Sequence, residues 1–328
     1  MNNFAIVGAT GLVGLSFLQL LQEKQILPQK LSLFASENSK GKILKFADNT
    51  YSVQTLEKGC FQGVDVAFFS AGGAVSKAWA PQAVQEGARV IDNSSTFRMD
   101  PEIPLLVPEV NAHHLEDQQL IANPNCSTIQ MCLVLSPLHS EFELESVQVA
   151  TYQSVSGAGA GALEKLKSES LSYLQGGSSY VAFNCTPHIG NITEDGFSLE
   201  DTKMCAETRK ILDHPQLNIT AFTVRVPTLF SHGEVLWVSF KKAPKHRQHL
   251  LDVLQKQKGL KVMTAIDEYP DNSCTTGEDD VFVGRIHQAP HNPRQWLMWV
   301  SADNIRKGAA LNGLQIAQLL MDKTSKKN

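Results

Sequence analysis

The sequence predicts an α/β chain in two parts: a doubly wound, mainly parallel sheet over residues 1–124, closed by a C-terminal helix at 305–328, and an α+β domain over 125–304 with a mainly antiparallel sheet. Three observations predict it. Residues 3–21 run as a short apolar stretch, a glycine turn and a helical stretch; strand and helix patterns then alternate up to about Asn123; beyond that point strand patterns follow one another. A length of 328 residues suits two domains.

Asn3 to Val7 is the first strand, Gly8 to Gly14 the turn, and Leu15 to Leu21 carries apolar residues at helical spacing. Strands follow at Leu31 to Ala35, Val64 to Ser70 and Arg89 to Asp92, with a helix at Ala74 to Glu86 before the last. In the second part Ser127 to Leu138 is helical, Ser146 to Tyr152 a strand, and Gly159 to Leu174 an amphipathic helix. Strands at Ile219 to Val226, Val235 to Lys241, Val281 to Arg285 and Trp296 to Ser301 accompany helices at Glu200 to Leu212 and Lys245 to Gln257. Lys307 to Met321 is a terminal helix expected to pack on the first domain, and Lys323 to Asn328 a solvated tail.

Lys and Arg total 29 against 33 Asp and Glu, a net charge of -4, so there is no basic field for nucleic acid. No apolar window approaches a membrane span, and the start lacks the pattern of a signal peptide, so a cytoplasmic protein with no membrane partner is expected. Six cysteines without a C-x-x-C pair suggest reduced thiols and no metal site.

Gly8-x-x-Gly11-x-x-Gly14, between strand and helix, suits a pyrophosphate held by backbone N–H groups; a glycine turn without a ligand is the plainer alternative. Cys126 follows Asn123-Pro-Asn at the start of an apolar helix, where the helix field favours a thiolate, so it suits a nucleophile as well as a small core residue. Cys132, Cys185 and Cys205 adjoin apolar residues and read as core. His232 falls in the turn between two strands, seven residues after Arg225. A Cys–His couple needs a cationic partner to bind a carboxylate or acyl phosphate, and Arg225 supplies one. Gln153 to Gly159 forms a second small-residue turn. Glu200-x-x-Lys203 is one helical turn and, by itself, a surface ion pair. Arg98 follows the strand ending at Asp92, near the sheet edge where ligands bind.

In order, GATGLVG, SSTFR, PEVN, NPNCSTIQ, YQSVSGAG, E-x-x-K, VRVP with His232, and SADNIRKGAA resemble aspartate-β-semialdehyde dehydrogenases nearly end to end. The resemblance implies a Rossmann-like first domain and a second domain serving catalysis and dimerisation. It also implies reduction of L-aspartyl-4-phosphate by NADPH to L-aspartate-4-semialdehyde and phosphate, in lysine, threonine and methionine biosynthesis, by a homodimer or tetramer. Carried over by motif, Cys126 is the nucleophile, His232 the acid/base that helps activate the thiol, and Gln153 the residue that positions the acyl group. Arg225 takes the α-carboxylate and Glu200 the α-ammonium, Arg98 and Lys203 hold phosphate, and Asn125 belongs to the substrate site. Gly8, Thr10, Gly11, Leu12, Val13, Ser156, Gly157 and Asn304 correspond to cofactor contacts, and Ser36, Asn38 and Ser39 to the adenosine ribose or its phosphate. Backbone N–H groups around Asn125 to Ser127 are assigned to the oxyanion.

Two departures stand out. Asn38 occupies a place where many relatives have arginine, leaving NADP against NAD open, and Leu174 to Phe183 is shorter than in many relatives. An N-acetyl-γ-glutamyl-phosphate reductase would share the thiol chemistry but have no free ammonium for Glu200. A silent nucleotide-binding paralogue would not need Cys126, Gln153, Arg225 and His232 together.

Overall fold

The computed structural model describes residues 3–327, with side chains to Lys323. The chain forms two compact units, one of residues 1–124 with 309–328 and the other of 125–308.

In the first unit the elements are β1 (Asn3–Val7), α1 (Leu12–Glu23), β2 (Lys30–Phe34), β3 (Ile43–Phe46), β4 (Asn49–Ser52), β5 (Val66–Phe69), α2 (Gly73–Gln85), β6 (Arg89–Asp92), α3 (Pro108–Asn111) and β7 (Leu120–Ala122). A five-stranded parallel sheet has the order β2-β1-β5-β6-β7. Alternate residues of each strand feed opposite faces. Phe4, Ile6, Val66 and Phe68 pack with α1 and the terminal helix Leu311–Lys327. Ala5, Val7, Ala67 and Phe69 pack with α2 and the segment around Phe61. Both faces are therefore apolar, which is why these strands are short unbroken apolar runs. Phe17 stacks on Phe68 at 4.2 Å, and a Cβ at Gly313 would lie 2.5 Å from the Phe68 ring, so glycine lets the terminal helix lie flat. Each such buried side chain contributes about 1.5–3 kcal/mol.

Two features differ from expectation here. The β3–β4 hairpin was not foreseen, because its few apolar residues are broken by Asp48-Asn49 and its turn needs Ala47 at φ 49°. The terminal helix begins with a π-helical turn, Arg306–Ala310, and its α-helical part continues to Lys327, so the expected tail from Lys323 is helical that far. Lys323 donates to the carbonyl of Leu115. Asn328 lies outside the described residues.

The second unit holds α4 (Cys126–Phe142), β8 (Leu144–Gln153), α5 (Ala160–Leu174), α6 (Leu199–Ile211), β9 (Asn218–Arg225), β10 (His232–Phe240), α7 (Arg247–Leu254), β11 (Leu260–Val262), α8 (Asn272–Thr275), β12 (Val281–Ala289) and β13 (Asn292–Ala302). Its six-stranded sheet has the order β11-β12-β13-β10-β8-β9. The centre is antiparallel, with a parallel pair at each margin. Val147, Val149, Leu236 and Val238 point into the core, where α4 and α6 pack. The opposite face leaves Tyr152 and Phe222 exposed. Among the described residues, no helix is long and apolar enough to cross a membrane.

Candidate active site

Cys126 opens α4, and the residue before it builds the helix entry. Asn125 adopts an extended backbone, and its Oδ1 accepts from the N–H groups of Ser127 at 3.0 Å and Thr128 at 3.2 Å. Its own N–H donates to Glu207 at 2.7 Å, and its Nδ2 donates to Glu200 at 2.7 Å. Asn125 is thus the cap of the nucleophile helix, with its polar groups engaged. Of the N–H groups from Asn125 to Ser127 assigned to the oxyanion, those of Asn125 and Ser127 are engaged inside the protein.

The sheet gathers the next three residues. Gln153 ends β8, and in register beside it stand Arg225 at the end of β9 and His232 at the start of β10. Neighbours on one rung share a face, so three residues far apart in sequence become adjacent. His232 is a strand residue and fully buried, not a turn residue. Its Nδ1 accepts from the Ser154 N–H at 3.0 Å. A backbone N–H can only donate, so the ring proton of the neutral imidazole sits on Nε2. Nε2 has no hydrogen-bond partner among the described residues. Burial first, and then the Arg225 charge, push its pKa down from 6.5 to about 3. His232 therefore faces the site as a neutral donor. In this form Nε2–H is a hydrogen-bond donor.

Arg225 donates from Nη1 to the Ser154 carbonyl at 2.5 Å. Burial lowers its pKa, whereas the nearby Cys126 and Glu200 charges raise it. Glu200 is largely buried and turned toward Asn125, with Gln153 Nε2 at 3.5 Å, so the expected surface ion pair with Lys203 is not formed. Lys203 is half-buried. A Cβ on Gly157 would fall 2.9 Å from Arg225 Nη1 and 3.1 Å from His232 Nε2, so this glycine borders the substrate side of the turn. Ser156 and Asn304 hold each other: Asn304 Oδ1 also accepts from the Ser231 N–H and Ser154 Oγ, which clamps the turn behind His232.

The remaining candidates belong to the first unit. Gly8 has φ +90°, and a Cβ there would lie 2.3 Å from the Ser70 carbonyl oxygen; a Cβ on Gly14 would lie 2.3 Å from that of Gly8. Both glycines are needed for close approach of backbone to backbone. Gly11 caps α1 with no side-chain hydrogen bond, which leaves the first-turn N–H groups of Leu12 and Val13 without a side-chain cap, next to Thr10. That is a cradle suited to a phosphate. Ser36, Asn38 and Ser39 lie on a short 3-10 turn; Ser39 is buried and accepts from Thr10 Oγ1 at 3.3 Å, while Asn38 is exposed. Glu37 faces Lys40 at 3.6 Å. Arg98, mostly buried, donates to the Asn93 carbonyl at 2.9 Å beyond the end of β6.

Sequence reasoning missed several neighbours. Glu207 lies two helical turns after Glu200 on the same face of α6, and Glu234 lies two strand positions after His232; both spacings were visible. A Cβ on Gly308 would lie 2.8 Å from Cys126 Cβ, a contact with no local signal. Of the three cysteines taken as core, Cys132 is buried and Cys205 half-buried, but Cys185 is exposed because its segment carries no regular element.

Comparison with known proteins decides the family. Residues 3–118 match the model of the semialdehyde dehydrogenase NAD binding domain, and residues 135–307 that of the semialdehyde dehydrogenase dimerisation domain. An aspartate-semialdehyde dehydrogenase of Aquifex aeolicus is 44% identical over 97% of both chains. The chain belongs to the aspartate-semialdehyde dehydrogenase family. Aspartate-semialdehyde dehydrogenase 2 of Vibrio cholerae is 40% identical over 97% of both chains. The crystal structure of aspartate semialdehyde dehydrogenase II from that organism superposes with a TM-score of 0.94, covering 98% of each chain at 40% identity, and a second, described as complexed with ASA, also gives 0.94 at 39%. Like other members of this family, the protein is an oxidoreductase of amino-acid biosynthesis with a nucleotide-binding domain.

Proposed function

We propose that this aspartate-semialdehyde dehydrogenase carries out the NADP-dependent, reversible reductive dephosphorylation of L-aspartyl-4-phosphate through an acyl-thioester on Cys126. The observation that carries the reading is the single rung Arg225–Gln153–His232 in the same unit as a cysteine that opens a capped helix.

The helix field and the Arg225 charge favour the thiolate without a general base. The sulfur attacks the acyl phosphate carbon, and the C–O bond to phosphate breaks. His232 Nε2–H donates to the oxygen that gains charge, and Gln153 orients the acyl group. Arg225 binds the α-carboxylate, and Glu200 the α-ammonium. Arg98 and Lys203 attract the departing phosphate. The nicotinamide cofactor, when bound, supplies the hydride that reduces the thioester carbonyl. Cys126 then leaves as thiolate, giving the semialdehyde. The alternative substrate of an N-acetyl-γ-glutamyl-phosphate reductase would leave Glu200 facing no ammonium.

Gly8, Thr10, Gly11, Leu12 and Val13 suit the pyrophosphate, and Ser156, Gly157 and Asn304 are assigned to the nicotinamide end. Ser36, Asn38 and Ser39 favour a ribose phosphate, and Glu37 facing Lys40 instead of turning inward supports NADP over NAD. A cytoplasmic homodimer formed through the open sheet face at Tyr152 and Phe222 accords with the dimerisation-domain match. The test is phosphate-dependent oxidation of L-aspartate-4-semialdehyde followed by reduced-nicotinamide absorbance with each cofactor. Turnover that needs phosphate and prefers NADP supports the reading; turnover indifferent to phosphate overturns the phosphorylating reaction.

A further inference from the structure

Strand β9 is the outermost of its sheet, so alternate N–H groups along it point away from β8, where no further strand takes them. Two of these outward groups, those of Thr223 and Arg225, are taken up from elsewhere. The Arg225 N–H donates to the Thr186 carbonyl at 2.9 Å, and the Thr223 N–H donates to Asp201 Oδ1 at 2.8 Å. Asp201 stands on the first turn of α6, directly after Glu200.

The other carboxylate oxygen, Asp201 Oδ2, accepts the Ser198 N–H at 2.7 Å, and Ser198 Oγ accepts the Asp201 N–H at 3.3 Å, a reciprocal capping box at the start of α6. One carboxylate thus joins helix and strand, one oxygen to each. A second tie runs beside it, since Ser198 Oγ and Thr223 Oγ1 lie 3.1 Å apart, and Ser198, Asp201 and Thr223 are all buried. Both groups facing the Asp201 carboxylate are N–H donors, so the side chain must accept on both oxygens. An amide would turn its NH2 against one of them.

The two elements joined in this way carry the two ends of the substrate site proposed above. Successive helix residues point about 100° apart. With Asp201 turned to β9, Glu200 meets Asn125 Nδ2 at 2.7 Å and Gln153 Nε2 at 3.5 Å. Arg225 lies two residues after Thr223, on the same face of β9. The bridge therefore fixes the acidic side chain of α6 against the guanidinium of β9.

We propose that Asp201 is a positioning residue that sets the spacing of Glu200 and Arg225, and with it the preference for an α-amino acid skeleton over the same skeleton without the ammonium. The proposal rests on the reading that Glu200 takes the α-ammonium and Arg225 the α-carboxylate.

The test uses the full chain and competition against L-aspartate-4-semialdehyde in the phosphate-dependent oxidation. L-Aspartate offers both groups and succinate lacks the ammonium, so the ratio of their inhibition constants reads the spacing. Loss of active enzyme alone leaves that ratio unchanged. Asp201→Asn should lose about tenfold or more of the preference for aspartate and raise KM for the semialdehyde. Asp201→Glu, which keeps two accepting oxygens, should retain the preference to within about threefold. Ser198→Ala weakens the same helix cap but keeps the carboxylate on the Thr223 N–H, so it should lower the thermal midpoint and hold the preference to within about threefold. A preference unchanged in Asp201→Asn, or lost equally in Ser198→Ala, overturns the proposal. If Asp201→Asn does not fold, Asp201→Ser, with one accepting oxygen and no NH2, is read in its place with the same expectation. Glu200→Gln tests the underlying reading separately. A preference kept in Glu200→Gln removes the ammonium assignment and the proposal with it, whereas one lost there but kept in Asp201→Asn removes only the role of Asp201.

Discussion

Two helix N-termini in this protein are built for opposite ends. At α1 the cap is Gly11, which offers no side-chain acceptor, so the first-turn donors are left for a ligand. At α4 the cap is Asn125, which engages the N–H groups of Ser127 and Thr128 itself. The first end recognises an anion by hydrogen bonding; the second acts on Cys126 through its field, with its donors closed off. A helix N-terminus is therefore not one device, and the capping residue decides which it is.

The largest test of this contrast removes the group on which the closed end acts. Cys126→Ser should lower kcat by at least about a thousandfold while leaving cofactor affinity and the unfolding transition near wild type, because a hydroxyl stays protonated where a thiol ionises. Mass spectrometry of acid-quenched enzyme with aspartyl phosphate and no reduced cofactor should show an adduct on the Cys126 peptide; an adduct elsewhere reassigns the nucleophile.

If the helix field and Arg225 favour the thiolate, His232 need not be an imidazolium. The pH profile of kcat/KM should then carry no limb from His232 near pH 6–7. Folding stability carries the complementary signature. The folded pKa of about 3 is below the ordinary 6.5, so below pH 6.5 the unfolded chain binds a proton that the native one refuses. Stability from this group is full above pH 6.5, is about 2 kcal/mol lower at pH 5, and keeps falling toward pH 3. Denaturant unfolding at several pH values, compared with His232→Gln, checks the sign; a flat difference would mean that the ring is not buried neutral.

Opening the closed end is the next test. Asn125→Ala should cost about 1 kcal/mol of stability by loss of the cap. It should also lower kcat by about tenfold or more, since Glu200 loses its 2.7 Å partner. Closing the open end is its mirror. Gly11→Asn supplies a cap at φ -81°, so thermal stability should hold or rise by a few tenths of a kcal/mol while the cofactor Kd increases about tenfold. Unchanged cofactor binding, followed by fluorescence titration, would break the comparison. The smallest effect is expected at the ribose loop, where Asn38→Arg should raise the NADP-to-NAD ratio of kcat/KM several-fold; a flat ratio would show that the exposed turn does not read the 2′-phosphate.

How much of this was visible beforehand differs between the sites for the same reason that their caps differ. The glycine turn is a contiguous stretch, and the strand, turn and helix that use it are its own neighbours, so Gly8, Gly11 and Gly14 carry their roles in their order. The start of α4 was also legible, since Asn-Cys-Ser-Thr before an apolar run marks a cap. What that cap consumes was not: the donors of Asn125 and Ser127 were assigned to substrate because a sequence shows acceptors and donors but not their pairing.

Sequence alone determined the αβ alternation, the two-part division of the fold into parallel and mainly antiparallel sheets, and the chemical types needed for thiol chemistry, because each is written in local periodicity and residue identity. Tertiary structure decided the rest. Gln153, Arg225 and His232 share a rung only because β8 pairs with β9 in parallel and with β10 antiparallel at one register, and a one-residue slip would send each side chain to the other face. The tautomer of His232 follows from the Ser154 N–H, and the packing of Gly308 against Cys126 from a chain segment 182 residues away in sequence, by the difference of 308 and 126. Hydrogen-bond direction and steric contact depend on which surfaces meet in space, and residue order does not contain that information until the sheet register is set.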